Sequence, residues 1–137
     1  MRQVERLRGG DRGAAVVDFA MMSVLLVMLL FAVLQVAVYA YERNIVAASA
    51  SDAARYAANA GASPADGGRR ASDLIAKGLT SADARLVPCT GTAAVDRPSG
   101  LSIVRVHCSG RMRLLLLPFP VPLGIDVTGS ALQEHAR

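Results

Sequence analysis

Residues 13–41 read GAAVVDFAMMSVLLVMLLFAVLQVAVYAY, and residues 19–41 within them form a run of twenty-three without a charge. Ser23 and Gln35 are the only clearly polar members of that run. At about 1.5 Å per residue it makes roughly 34 Å of helix, enough to cross a hydrocarbon core of about 30 Å. A soluble core helix seldom stays apolar on every face for that long, so the pattern predicts a membrane-spanning helix. An alanine-rich stretch follows, residues 42–60 (ERNIVAASASDAARYAANA), without Gly or Pro. Such a composition favours continued helix. Ile45, Ser49, Ala53, Tyr56 and Ala60 share one face, and Asp52 and Arg55 are spaced i,i+3 for a weak pair. One helix is therefore expected over residues 14–60, with Gly61 suited to its C-terminal cap and Pro64 barring continuation.

Beyond that point the period shortens. Residues 61–69 (GASPADGGR) read as a linker and 70–79 as a short helix with Leu74, Ile75 and Leu79 on one side. Residues 84–89 are a strand candidate and 90–100 (TGTAAVDRPSG) a loop. Residues 101–109 alternate, with Val104, Val106 and Cys108 on one face and Ile103, Arg105 and His107 on the other. Ser109-Gly110 suggests a tight turn into 111–117, which Pro118, Pro120 and Pro122 then break. Residues 125–132 make a last strand, with Ile125, Val127 and Ala131 on one face. The expected fold class is α+β: a single N-terminal transmembrane helix prolonged into a long helix, followed by a small antiparallel sheet. Residues 1–13, 14–61 (with the span at 19–41) and 62–137 are its expected divisions.

Composition changes this picture in two places. The chain of 137 residues has 4% aromatic residues and no Trp, so the sheet domain cannot have a large aromatic core. A core that small often needs a covalent staple. The formal net charge is +4, but Arg2, Arg6, Arg8 and Arg12 all precede Gly13, with Glu5 and Asp11 among them. No basic stripe interleaved with aromatics exists, which argues against direct nucleic-acid binding. The same arginines give the orientation: the segment before the helix carries four, the fifteen residues after Tyr41 carry Arg43 and Arg55. The positive-inside rule then puts the N-terminus in the cytoplasm and the sheet domain outside. Ala48-Ser49-Ala50 resembles a signal-peptidase site, but the apolar run exceeds the usual 7–15 residues and Glu42-Arg43 separates it from that site.

Chemistry is sparse. Gly67-Gly68 lacks the spacing and the lysine of a phosphate loop. His107 and His135 have no metal-ligand neighbours at helical spacing. Cys89 and Cys108 are not spaced as a zinc or redox motif and supply only half a tetrahedral site. On the outer side a disulfide is the favoured fate, closing a loop of about twenty residues for roughly 3 kcal/mol; two buried thiols are the alternative. No cofactor, no small-molecule substrate and no enzyme activity is indicated. Asp18, at the N-terminal edge of the apolar run, invites a functional reading because a carboxylate near a bilayer is costly. It also suits the headgroup region and the helix dipole.

The stretches RGAAVVDFAMMSVLLVMLLFAVLQVAVYAYERN and SASDAARYAANAG resemble the TadE-like family, minor pilins or pseudopilins of the tight-adherence (Flp, type IVc) pilus system. A proline-rich break and the ending IDVTGSALQE look similar too. The resemblance implies a pilin-like fold and cleavage by a prepilin peptidase after a glycine, with an acid five residues beyond the cut. Cleavage after Gly13 makes Ala14 the first residue and Asp18 the fifth, followed by Phe19; cleavage after Gly9 or Gly10 would put alanine there. Asp18 replaces the family's usual glutamate, and Glu5 and Asp11 depart from a basic leader. The implied partners are the membrane, other pilin-like subunits, the pilus assembly machinery and the peptidase. An uncleaved, single-pass anchored module that recruits an envelope partner is the competing reading.

Overall fold

A computed structural model describes residues 11–59, 62–113 and 122–133. The expected leader residues 1–10, the helix end at Ala60 and Gly61, residues 114–121 with Pro118 and Pro120, and His135 lie outside the described residues. The order of elements is α1 (Asp11–Ala58), α2 (Pro64–Gly78), α3 (Ser81–Ala84), β1 (Cys89–Val95), β2 (Ser102–Arg113) and β3 (Pro122–Leu132). A long apolar N-terminal helix followed by a small antiparallel sheet is the α+β class expected. The chain divides into two units, Met1–Val36 and Ala37–Arg137.

In the first unit every described residue is helical. The apolar side chains are exposed all round, Phe19 at 75%, Leu25 at 66% and Met28 at 70% among them. Only 6% of the most apolar stretch of α1 is buried. A helix in the core of a soluble protein would be mostly covered. Left in water, this much apolar surface would be penalised at about 25 cal/mol per Å². Its composition and exposure match lipid or other apolar helices.

In the second unit the sheet has the order β1-β2-β3 and is antiparallel throughout. Val104, Val106, Cys108 and Met112 of β2 are buried on one face, with Ile125 of β3 beside them. The helices cover that face, α1 through Val46, Ala50, Ala53, Ala54 and Ala57 and α2 through Ala71 and Ile75, all fully buried. With methyl groups in place of long side chains, backbones approach closely. A Cβ added at Gly129 of β3 would lie 2.5 Å from the Ala50 carbonyl of α1. One added at Gly91 of β1 would strike the Pro64 carbonyl of α2 and lie 3.0 Å from the Gly68 nitrogen. These two crossings set the spacing of the unit.

Three expected elements are corrected. The linker over 61–69 is largely helix: Ser63 caps α2, with its hydroxyl accepting from the Asp66 N–H at 3.3 Å, while Asp66 accepts from the Ser63 N–H at 2.8 Å and from its hydroxyl at 2.7 Å. This reciprocal capping box, with Pro64 in the first turn, starts the helix before the two glycines can break it. Residues 84–89 are not a strand, since α3 and a turn occupy most of them, and the strand is instead Cys89–Val95 in the stretch read as a loop. The turn expected at Ser109-Gly110 is strand interior, because Gly110 leaves room for the Leu86 carbonyl against β2.

Ser63 and, secondarily, Arg69 hold the Asp66 carboxyl below the usual carboxylate range. A depressed folded value means that stability is present above the unfolded value and lost as pH falls through the folded one. Ser63→Ala is expected to cost about 1 kcal/mol at neutral pH and to weaken this acid dependence. Thermal unfolding of the detergent-solubilised chain across the acid range measures both; an unchanged midpoint at neutral pH would contradict the capping role.

Candidate functional site

The residues singled out by sequence fall into two sets, one in each unit. Gly13, Ala14, Asp18 and Phe19 lie on α1, all exposed. The Gly13–Ala14 bond lies within α1, near the first of the described residues. A Cβ added at Gly13 would meet nothing within 4 Å among the described residues. Ala14 and Asp18 are spaced i,i+4, which places them one above the other on one face. Among the described residues Asp18 has no charged partner. Phe19 beside it is 75% exposed, and its carbonyl accepts from the Ser23 hydroxyl at 2.8 Å. An acid, a large apolar ring and a continuous apolar surface thus follow one another along an uncovered helix.

The second set is Cys89 and Cys108. Register pairs them directly across β1 and β2, with Cα atoms 4.1 Å apart and an S–S distance of 2.01 Å. Cys108 is fully buried, and the bridge lies on the face covered by the helices. On the opposite face His107 Nδ1 stands 3.1 Å from the Thr128 hydroxyl and 3.8 Å from the Asp126 carboxylate, in the open.

A groove of about 250 Å³ between α1 and α2 is lined by Tyr56, Asp66, Arg69, Arg70 and Asp73. Three of its four charged residues, all but Asp73, are already engaged. Arg70 lies 5.6 Å above the Tyr56 ring and 3.9 Å from Asp52, and Arg69 pairs with Asp66. Among the described residues no three His, Cys, Asp or Glu side chains are grouped to hold a metal. What remains exposed and unassigned is the apolar helix with its leading acid.

Residues 13–55 match the family model of TadE-like proteins. The TadE-like segment begins at Gly13 and ends inside α1, so it takes in just under a third of the chain and leaves the sheet outside it. It contains Ala14, Asp18 and Phe19, the whole apolar run and most of the alanine-rich half of α1. No curated protein and no solved structure matches the chain. Two structural residues escaped the sequence reading. Tyr39, inside the apolar run, donates its hydroxyl to the Gly124 carbonyl at 3.1 Å, and Gly91 makes the crossing with α2. A tyrosine near the end of a membrane run signals an interface, but nothing local in sequence names a partner 85 residues away.

Proposed function

We propose that the chain is a membrane-anchored structural protein of a Tad pilus system, a TadE-like minor pilin or pseudopilin that serves assembly of an Flp-type fibre or a related secretion apparatus. The observation that carries this reading is the family match starting at Gly13 on a helix whose apolar side chains are exposed on all sides. A single chain offers that surface nothing but lipid. A bundle of like helices gives it a second solvent.

In this reading a prepilin peptidase cuts between Gly13 and Ala14 on the cytoplasmic side. Cutting requires α1 to open locally at that bond. The new Ala14 amine then lies one helical turn from Asp18, and pairing with Asp18 of the same or a neighbouring subunit offsets the cost of a carboxylate in low dielectric. The competing reading, a permanently anchored recruiting module, is favoured by one observation: α1 is already continuous through the Gly13–Ala14 bond in the uncut chain.

Intact mass decides between them. Protein from cells with an active prepilin peptidase is expected to begin at Ala14, and protein from cells lacking it to retain the leader. A mature chain still carrying residues 1–13 in the first case would overturn the pseudopilin reading. Asp18→Ala is expected to insert normally yet co-purify with pilin-like partners at least roughly tenfold less, since the partner amine is left uncompensated. Asp18→Glu keeps the charge and is expected to retain association. Normal co-purification by Asp18→Ala would return Asp18 to a headgroup role.

A further inference from the structure

Among the described residues, no charged side chain of the sheet lies on the face that holds the Cys89–Cys108 bridge. Strand alternation sends Arg105, His107 and Arg111 of β2 to the open face, and Val104, Val106, Cys108 and Met112 to the covered one. Cys108 shares a core with Val46, Ala50, Ala71, Ile75 and Ile125, and is itself 0% exposed. The buried polar side chains among the described residues are Gln35 and Ser49, neither of them charged. Cys89 is only partly buried, with its Sγ 3.9 Å from the Val87 carbonyl oxygen. The start of α2 lies across it. A Cβ added at Gly68 would stand 3.0 Å from the Cys89 carbonyl oxygen and 3.2 Å from the Thr90 Cα.

Thiols break a disulfide by exchange. A thiolate bonds to one sulfur and the other leaves as a thiolate; a second thiol then releases the first cysteine. The bridge gains two electrons and the reductant ends as a disulfide. Access to the attacked sulfur and the stability of the leaving thiolate set the rate. The two sulfurs of this bridge resist for different reasons. Attack on Cys89, the more accessible, must expel the Cys108 thiolate among methyl and methylene groups with no cation beside it, and apolar burial disfavours that ion. Attack on Cys108 would expel the less buried sulfur, but Cys108 is sealed beneath the helices. The reachable sulfur has the poor leaving group, and the better leaving group belongs to the sealed sulfur.

We propose that the bridge is gated by α2: an external thiol reduces it only in molecules whose α2 has lifted from β1, and while α2 is seated the bridge is indifferent to thiols. Lifting α2 removes Ala71 and Ile75 from the core around Cys108 and lets water reach the leaving thiolate. One movement thus relieves both obstacles. The bridge is then a permanent staple of the folded unit and no sensor of surrounding thiols. The device acts within the Ala37–Arg137 unit and is independent of the pilus reading. Warming toward the melting range opens the same crossing, so the bridge yields to reductant there and resists it well below.

The full chain in detergent is treated with dithiothreitol at mildly alkaline pH, and free thiols are counted over time by alkylation and intact mass. Reduction of the folded chain is expected to be at least roughly a hundredfold slower than in denaturant at the same thiol concentration, since only the open fraction reacts. Gly68→Ala adds a methyl group against the backbone of β1 and is expected to speed reduction roughly tenfold. Ser63→Ala, which loosens the α2 cap without touching the sheet, is expected to speed it about fivefold and serves where Gly68→Ala fails to fold. Gly124→Ala is expected to leave the rate unchanged. Circular dichroism confirms that each variant is folded before thiol is added. A folded parent reduced as fast as the denatured chain would show the bridge open to solvent and overturn the gating. Slow reduction that the folded α2 variants leave unchanged would place the opening elsewhere and overturn the role of α2.

Discussion

Gly91→Val is expected to unfold the Ala37–Arg137 unit of the full chain at ordinary temperatures. The new Cβ would occupy the position of the Pro64 carbonyl and crowd the Gly68 nitrogen. Both obstacles are backbone, and α2 is pinned there by the Ser63–Asp66 cap, so no rotamer change relieves the clash. Separating α2 from β1 would uncover Ala71 and Ile75 and the face of β2 beneath them. Overpacking of a close crossing costs about 1–3 kcal/mol where neighbours can shift and more where they cannot, a large part of the stability of a unit this size. Gly124→Ala, where an added Cβ meets nothing within 4 Å among the described residues, is the matched control and is expected to be nearly silent. Circular dichroism melts in detergent compare the two. Equal midpoints for Gly91→Val and the parent would mean that α2 does not rest on β1 at this point.

The paired substitution of Cys89 and Cys108 by alanine is expected to lower stability by about 3 kcal/mol, since the bridge closes a loop with a sequence separation of 19. For a unit of this size the midpoint should fall on the order of 10 °C or more. Alanine avoids placing a hydroxyl at position 108, where the side chain is fully buried. Reductant added to the parent should reproduce the fall, and added to the variant should do nothing. A parent chain whose midpoint ignores reductant would show that the sheet and helices alone set its stability.

The long apolar helix was the most legible part of the chain because its signal is long and local: twenty-three uncharged residues in a row. The core faces of β2 and β3 were legible too, through Val104, Val106 and Cys108 and through Ile125 and Val127, because alternation of this kind is only compatible with a half-covered sheet. The strand β1 was not. Its sequence, CTGTAAV, has no bulky residue before its end, and it is a strand because β2 offers it a ladder and Gly91 lets α2 lie across it. Those causes are tertiary. The helix α2 was hidden by Gly67-Gly68, which locally favour breaking a helix. In the fold they face Ala57 and Val106 on one side and β1 on the other, where a side chain would not fit. The candidate site followed the same division. The spacing from Gly13 to Asp18 is readable from the chain alone, whereas the bond from Tyr39 to Gly124 spans 85 residues and leaves no local mark.

The alanine seam of α1 inverts the usual rule for tolerance to substitution. In most cores truncation is the dangerous change, since a lost methylene leaves a void. Ala50, Ala53, Ala54 and Ala57 have almost nothing to truncate, and Ala50 already lies against the backbone of β3 at Gly129. Here the harmful direction is growth: each added carbon must push a strand away. Sequence drift along the outer half of α1 is thereby confined to a narrow band of side-chain volume. The uncovered apolar half obeys a different constraint, that of polarity with size left free. A single helix thus carries two grammars of acceptable change, one written in volume and the other in charge.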